Sequence, residues 1–234
     1  MKKLGSAGFL FLALIAFTTC NSTSSFKTSK PKNNTDSASY MIGISVGHSL
    51  KAQNVPDINV DMIAKGIQEV INDDSTVTAQ EAQIFLNAYF SELREKEAES
   101  NKEEGIAWLA ENKNKPGVIE TESGLQYKIL EEGTGKSPLI TDRVKCHYEG
   151  RLLDGTIFDS SYERGQPAEF GLRGVIRGWT EGLQLMKEGG KYELYIPSDL
   201  GYGPRGGGQV IGPNATLIFV IELLEVLPAE EGGN

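Results

Sequence analysis

The spacing of apolar residues divides this chain into a helical half and a strand-rich half. Between residues 37 and 73, apolar side chains recur at intervals of three or four positions, a spacing that predicts two short helices. Tyr40 and Ile44 mark the first helix, and Ile63 and Ile67 mark the second. Neither helix could bury its apolar face alone, so we expect both to pack against further helices.

A long third helix is predicted from Thr78 to about residue 113. Thr78 and Glu81 fit a capping box, in which the two side chains accept hydrogen bonds from early backbone N–H groups. The first part of this helix carries apolar residues, whereas residues 94–104 are nearly all charged or polar and leave no face to bury. We therefore expect that middle part to cross solvent between two bodies, and the helix to end before Pro116.

Two short helices and half of a long one would make a poor core for one chain. Pairing with a second copy through residues 37–95 would bury the apolar faces that include Tyr40, Phe85 and Tyr89. A monomeric three-helix bundle is the alternative. The sequence thus predicts an all-α dimerisation domain over residues 37–117, which includes the long connecting helix.

The period of the apolar positions shifts towards two after residue 118, as expected for strands. Glycines mark the turns, and one short helix fits residues 178–186. The fold class predicted for residues 118–228 is α+β, with a strongly curved antiparallel sheet wrapped around that helix. Glu222 and Glu225 flank the last predicted strand and indicate a solvated edge. The predicted strands are residues 124–130, 143–151, 191–196 and 216–226.

The first twenty residues have the organisation of an export signal. Lys2 and Lys3 precede an apolar run over residues 8–17, which is too short to span a bilayer as a helix. Small residues then lead to Cys20, which resembles the lipidated cysteine of a bacterial lipoprotein signal. We therefore expect residues 1–19 to be removed and Cys20 to carry lipid. An ordinary secretory signal with a chance cysteine is the alternative.

Two polar segments flank the predicted domains. Residues 20–36 are mostly Ser, Thr, Asn and Lys, which predicts a flexible tether. Residues 229–234 are predicted to form a disordered tail.

The net charge of the chain limits the kinds of molecule that it can bind. Two of the 23 basic residues lie in residues 1–19, so the rest of the chain has 21 basic and 32 acidic residues and a net charge of −11. This charge argues against nucleic acid and against electrostatic binding to anionic lipid. A lipid on Cys20 would instead hold the protein in the bacterial cell envelope, in the periplasm and at the outer membrane. Cys146 alternates with Val144 and Tyr148 and is expected to be a small buried core residue.

The strand-rich half contains many aromatic and aliphatic residues but no recognisable group-transfer catalyst. Its sequence shows no metal cluster, no serine–histidine pair and no phosphate loop, so no cofactor or metal is expected. His48 and His147 lack partners at metal-ligand spacing and are interpreted as structural. An apolar pocket with one carboxylate and a few hydroxyls suits rotation about a peptide bond, which transfers no proton and needs no nucleophile.

An ordered series of motifs carries a family resemblance over about 110 residues. The motifs are Tyr148-Glu149-Gly150, Gly155 to Ser161, Val175 to Trp179, Tyr192 to Pro197, Gly201-Tyr202-Gly203 and Asn214 to Leu217. In order and spacing the series resembles the FKBP-type peptidyl-prolyl cis-trans isomerases.

The N-terminal half carries a second set of motifs: Ser39-Tyr40, Gly43 to Gly47, Ser49-Leu50-Lys51 and Gly124 to Tyr127. This set resembles the bacterial subclass typified by macrophage infectivity potentiator, in which an N-terminal domain joins two chains and a long helix holds each FKBP-like domain away from the dimer.

The resemblance implies the apolar surface of a substrate pocket. Trp179 would form its floor, and Val175 and Ile176 its aliphatic side, with the Ile176 N–H receiving a substrate carbonyl. Val210 and Ile211 would supply further substrate contacts. The aromatic walls would be Tyr148, Phe158 and Phe219.

The resemblance also implies the polar groups of this pocket. Asp159 would be its carboxylate, Arg164 would partner that aspartate and Tyr148, and the Tyr202 hydroxyl would hold the substrate backbone. The alternatives are that Trp179 is plain core packing, that Asp159 caps a turn, and that Arg164 is a solvated loop charge.

Two departures from the family bear on specificity. Ala168 stands where many members have an aromatic residue, so we expect one pocket wall to be smaller. The loop at residues 204–209 is rich in glycine and is expected to be mobile. Macrolide inhibitors are implied as ligands, although these two differences bear on their affinity.

The function predicted is isomerisation of X–Pro bonds in exported, proline-containing polypeptides, together with chaperone activity. The barrier to this rotation is about 18–20 kcal/mol because twisting destroys amide resonance. A dimeric periplasmic chaperone with marginal isomerase activity is the first alternative. The second is a module that binds a fixed proline motif without turnover.

Overall fold

The computed structural model describes residues 30–52, 55 and 57–227. The predicted signal peptide, Cys20, most of the tether and the tail at residues 229–234 lie outside the described residues. No helix in the described part of the chain is both long and apolar enough to cross a membrane. The chain divides into two compact units, Met1–Pro56 and Asp57–Asn234.

The first unit contributes one described helix, α1, at Asn34–Ala52. It begins three residues before the predicted start, because the Asn33 side chain accepts a hydrogen bond from the Asp36 N–H at 2.8 Å and so satisfies a free donor of the first turn. None of the residues of α1 is buried, and Tyr40 and Ile44 are both exposed. The helix therefore presents apolar side chains that this unit does not cover.

The second unit begins with α2 at Val60–Ile71 and α3 at Ala79–Asn112, as the sequence predicts. Asn59 caps α2 by accepting from the Met62 N–H at 3.1 Å. The capping box of α3 is confirmed, since Thr78 and Glu81 each accept from the other's backbone N–H. These caps fix both helix starts without help from packing.

The C-terminal half of α3 lies against the strand-rich domain. The Trp108 ring lies 5.5 Å from that of Tyr195, and the buried Asn112 amide donates to Gln126 Oε1 at 3.0 Å. Within residues 94–104, Asn101 donates to the Pro213 carbonyl and the Ala98 carbonyl accepts from Asn214, so the prediction that this stretch crosses solvent is wrong. The partly or fully buried positions recur every three or four residues: Ala98, Asn101, Gly105, Trp108 and Asn112.

Seven antiparallel strands form one sheet in the order β1-β2-β6-β7-β3-β4, with β5 also paired to β3. The strand predictions at residues 143–151 and 191–196 match in full. Because β7 lies between β6 and β3, the prediction that Glu222 and Glu225 mark an edge is wrong, although Glu225 is exposed to solvent. The strands are β1 Val118–Glu120, β2 Gln126–Glu131, β3 Arg143–Arg151, β4 Ile157–Ser160, β5 Ala168–Gly171, β6 Lys191–Ile196 and β7 Leu217–Leu227.

A short helix, α4 at Arg177–Leu185, packs against one face of this sheet through Trp179 and Leu183. Gly178 and Gly182, one turn apart, let the helix approach closely, since a Cβ at Gly182 would lie 2.5 Å from the Leu194 Cδ1 atom. The core lies between the helix and the sheet. The fold is α+β, with a helical N-terminal region followed by a curved antiparallel sheet and its helix.

Candidate active site

One cavity of about 460 Å³ opens beside the N-terminus of α4, between the sheet and the loop that follows β6. A cavity of this size accommodates a proline ring and its neighbouring peptide groups. Ten residues that the sequence predicts for the pocket line it. They are Tyr148, Phe158, Asp159, Val175, Ile176, Trp179, Tyr202, Val210, Ile211 and Phe219.

The floor of the cavity is a cluster of aromatic rings centred on Trp179, which is 4% exposed. The indole meets Tyr148, Phe170 and Phe219 edge to face, with ring centroids 5.1–5.3 Å apart and interplanar angles of 81–86°. Phe158 meets Phe219 in the same way at 5.4 Å. Such contacts lock each ring against its neighbours, so the floor is rigid and apolar.

The indole N–H of Trp179 is the exception to that apolar character. It is buried, and no hydrogen-bond partner for it exists among the residues that the structure describes. A buried donor without a partner costs free energy. The same donor is available to a ligand that enters the cavity.

Three polar side chains form a closed cluster on one wall. The Tyr148 hydroxyl donates to Asp159 Oδ2 at 2.5 Å, and Arg164 donates to the Tyr148 hydroxyl at 2.7 Å. Arg164 also forms an ion pair with Asp159. Pairing of β3 with β4 brings these groups together, because Gly150 stands opposite Asp159 in the register. Arg164 itself does not line the cavity but holds two groups that do.

The protonation states of this cluster are fixed across the physiological range. Burial would raise the pKa of the Asp159 carboxyl, but hydrogen bonds from Tyr148 and Arg164 and the charge of Arg164 outweigh it and lower that pKa. Burial, then the bond to Asp159, raises the pKa of Tyr148 to about 12. Burial and the nearby Asp159 charge also raise the pKa of Tyr202. None of these groups is poised to exchange a proton near pH 7.

We expect kcat/KM for a short X–Pro peptide to stay constant between about pH 5 and pH 9. The Asp159 pKa lies below its usual 3.8, so the carboxylate and its ion pair persist until the pH falls through that lower value. Tyr148 stays protonated until about pH 12. Exchange rates of a peptide without titratable groups, measured by NMR across this range, check the profile. A bell-shaped curve centred near pH 7 would contradict a site without acid–base chemistry.

The Ile176 amide lies at the start of α4, on the aliphatic side of the cavity. Among the described residues no acceptor for this N–H is found. An N–H at a helix start is a favourable partner for a carbonyl oxygen, because the helix dipole adds positive potential there. The geometry suits a substrate carbonyl that enters over Trp179.

Sequence reasoning missed Phe170. Phe170 lines the cavity and contacts both Trp179 and Tyr148, whereas Ala168 packs against the core and does not line the cavity. The smaller wall expected at Ala168 stays a prediction. The alternation of Ala168 and Phe170 along β5 was the available signal, since both residues of a period-two pair face the same side. Glycines 174, 207 and 208 and Gln209 complete the lining.

Cys146 and His147 lie on opposite faces of β3 beside this site. Cys146 is fully buried, and burial raises the pKa of its thiol to about 12, so it is an inert core residue, as expected. The His147 ring stacks on Tyr162 at 4.7 Å, and its Nδ1 lies 3.0 Å from Ser161 Oγ. Both contacts are consistent with the structural role that the sequence indicates for this histidine.

Two family models match regions that together cover most of the chain. Residues 135–224 match the family model described as FKBP-type peptidyl-prolyl cis-trans isomerase. Residues 35–129 match the model of the domain amino terminal to FKBP-type peptidyl-prolyl isomerase.

Individual relatives span the same region. The chain is 42% identical to Outer membrane protein MIP of Legionella longbeachae, over 97% of this chain and 98% of the relative. It is 38% identical to the peptidyl-prolyl cis-trans isomerase Mip of Coxiella burnetii, over 97% and 99%. The crystal structure of FkpA from Escherichia coli aligns with a TM-score of 0.65 and 38% identity, covering 86% of this chain and 100% of that one.

Proposed function

This chain belongs to the FKBP-type peptidyl-prolyl cis-trans isomerases and accelerates X–Pro isomerisation, and we propose that the reaction takes place in the cavity floored by Trp179. The observation that carries this assignment is the rigid ring cluster of Trp179, Tyr148, Phe170 and Phe219, with one polar cluster on its wall. A proline ring is apolar and fits such a floor.

Catalysis in this cavity requires stabilisation of a twisted amide. Twisting ends the resonance of the amide, so the carbonyl loses part of its dipole and the nitrogen becomes more basic. An apolar cavity favours this state over the hydrated planar amide. The uncatalysed rate of about 0.01 per second must rise about 10⁴-fold for ordinary turnover, which corresponds to about 5.5 kcal/mol. One desolvated pocket can bind the twisted amide more tightly than the planar amide by this amount.

Two polar contacts orient the substrate in this scheme. The Ile176 N–H binds a substrate carbonyl, and the Tyr202 hydroxyl holds the peptide backbone. Asp159 acts through its neighbours: it accepts from Tyr148 and pairs with Arg164, and so fixes the wall that the substrate meets. A role as general base has no support, since the reaction removes no proton.

We expect Asp159→Ala to lower kcat/KM for an Ala-Leu-Pro-Phe peptide by about ten- to a hundredfold, because hydrogen bonds to a charged group contribute about 1.5–3 kcal/mol. The NMR exchange rate between the cis and trans peptide gives the measurement. Glu163→Ala is the matched control, since Glu163 is an exposed acid in the following turn. No acceleration by the folded wild-type protein would overturn the cavity assignment.

A second activity, chaperone function of a homodimer joined through residues 37–95, is favoured by the uncovered helices. Phe85 is 69% exposed, and its ring stacks on that of Tyr89, one turn along α3. On α2, Val60, Ile67 and Val70 are also exposed. Apolar surface on this scale is unusual for a soluble monomer and suits association with another chain.

The cell envelope is the compartment proposed, with a lipid on Cys20 as the anchor. Cys20 ends an apolar run of lipoprotein type, and a relative of nearly the same length is named an outer membrane protein. Proline-containing exported polypeptides are the substrates that this location supplies, and macrolides are candidate inhibitors of the cavity. Mass spectrometry of the N-terminal peptide of the exported protein distinguishes a lipidated Cys20 from an unmodified one.

A further inference from the structure

The docked half of α3 contacts the loop that forms one wall of the cavity. This pocket loop comprises residues 203–216, of which residues 207–211 line the cavity. Nothing in the apolar pattern of the sequence indicates such a contact, because the helix meets the loop with polar and small side chains.

Two asparagines make a reciprocal pair of hydrogen bonds across this contact. The Asn101 amide of α3 donates to the carbonyl of Pro213 at 2.8 Å, and the Asn214 amide of the loop donates to the carbonyl of Ala98 at 3.1 Å. Asn101, Pro213 and Asn214 are partly or fully buried. Side-chain amides that reach backbone carbonyls in a partly buried contact fix the register of the two segments.

Glycines on both sides make this close approach possible. A Cβ at Gly105 of α3 would overlap the Thr216 hydroxyl, and a Cβ at Gly212 of the loop would overlap the Glu97 carboxylate. The helix and the loop base are therefore in direct contact over Glu97 to Gly105, which is more than two helical turns.

Backbone hydrogen bonds connect the base of the pocket loop, which α3 holds in place, to the tip of the loop. The Asn214 N–H donates to Gly203 O at 2.9 Å and ties the two ends of the loop together. Nearer the tip, Gly207 and Ile211 exchange two N–H···O bonds of 2.9 and 3.1 Å. The position of Ile211, a 9%-exposed wall of the cavity, thus depends on where the loop base is held.

We propose that Asn101 and Asn214 are positioning residues of the isomerase: their paired bonds hold the pocket loop on α3 and so set Ile211 against a bound proline. This inference rests on the proposed function of the cavity. Neither asparagine lines the cavity or belongs to the ring cluster. They therefore affect binding of the planar and the twisted amide alike, and their loss raises KM rather than lowering kcat.

Two variants of the full chain remove one side-chain donor each without straining the backbone. Asn101→Asp keeps the outline of the side chain but cannot donate to Pro213 O. Asn214→Gly removes the amide and tolerates the positive φ of 55° at this position, which alanine would strain. Ser100→Ala is the matched control, since Ser100 is an exposed neighbour on α3 that faces away from the loop.

We expect each variant to raise KM for the Ala-Leu-Pro-Phe peptide about three- to tenfold, the equivalent of one neutral hydrogen bond, with kcat within about twofold of wild type. In the double variant, KM should rise by less than the product of the two single increases, because both hydrogen bonds hold the same contact. Ser100→Ala should match wild type. A loss of kcat at unchanged KM in both variants would overturn the proposal.

Hydrogen–deuterium exchange gives a second readout that does not depend on catalysis. The peptide covering residues 203–216 should exchange faster in Asn101→Asp and Asn214→Gly, while the peptide covering β6 should exchange as in wild type. If one of the two variants does not fold, the exchange rates of the other variant test the proposal. Unchanged exchange of the loop, or equal loosening of loop and β6, would refute positioning even if the wild-type protein is an active isomerase. An inactive wild-type protein whose loop still loosens in the variants would instead refute the assigned function.

Discussion

Replacement of Trp179 by alanine is expected to lower kcat/KM for a short X–Pro peptide by at least about a hundredfold. The indole makes edge-to-face contact with Tyr148, Phe170 and Phe219, so its removal leaves the proline ring without a floor and admits water. Both effects favour the hydrated planar amide over the twisted one. About 3 kcal/mol of lost transition-state stabilisation corresponds to this factor.

Controls separate the chemistry of this position from its contribution to folding. Loss of a buried tryptophan also destabilises a domain by about 3–5 kcal/mol, so rates should be compared well below the melting temperature of the variant. Trp179→Phe keeps an aromatic floor without the N–H and should retain most of the activity. Gln184→Ala, on the exposed side of α4, should behave as wild type. Wild-type kcat/KM in a folded Trp179→Ala protein would exclude the cavity as the catalytic site.

The second large effect is expected on α3: the double change Phe85→Glu, Tyr89→Glu should convert the dimer into a monomer. These two side chains form an exposed aromatic stack within the region proposed to join the chains. Two carboxylates there would have to be buried in the dimer, at several kcal/mol each in the absence of a partner. Light scattering should give half the wild-type mass at micromolar concentration.

The same variant tests the chaperone proposal against the isomerase. Its pocket is untouched, so turnover of a short peptide should equal that of wild type, while suppression of aggregation of an unfolded protein should be lost. Lys102→Glu alters the charge of α3 at an exposed position outside the aromatic stack and serves as control. An unchanged mass would refute the dimer through this surface. Full suppression by the monomer would separate chaperone activity from dimerisation.

Strong periodicity explains which parts of the fold can be predicted from the sequence. The nine-residue β3 alternates regularly between apolar and polar positions, and the first four residues of β6 do the same. Thr78 with Glu81 specifies the start of α3. The strands that were missed, β1, β4 and β5, contain only three or four residues. A run that short cannot be told from a loop by its period.

The docking of α3 escaped prediction for a different reason. Hydrophobic patterning detects faces that are buried by apolar side chains, whereas this face is closed by the amides of Asn101 and Asn112 and by Gly105. The signal in these residues was two asparagines and a glycine, at Asn101, Gly105 and Asn112, which are four and seven residues apart. On a charged helix, asparagine and glycine are as common on solvated surfaces as in buried contacts, so they do not predict docking.

The composition of the pocket was predictable because ordered motifs place its residues, but its geometry depends on distant pairing. Tyr148, Asp159 and Arg164 meet only once β3 and β4 are in register. Phe170 reaches the ring cluster through the pairing of β5 with β3. Registers of this kind follow from strand pairing across the whole sheet and not from any local segment.

The order of the strands constrains when the domain can fold. Although β7 comes last of the seven strands along the chain, it lies at the centre of the sheet, with β6 on one side and nine residues of β3 on the other. Until residues 217–227 have left the ribosome, β3 and β6 each lack their main partner and the core has no central strand. Contacts between such distant segments form slowly. The strand-rich domain therefore cannot complete its core until most of the chain has been synthesised, and an unfolded chain is the state that a narrow protein-conducting channel accepts.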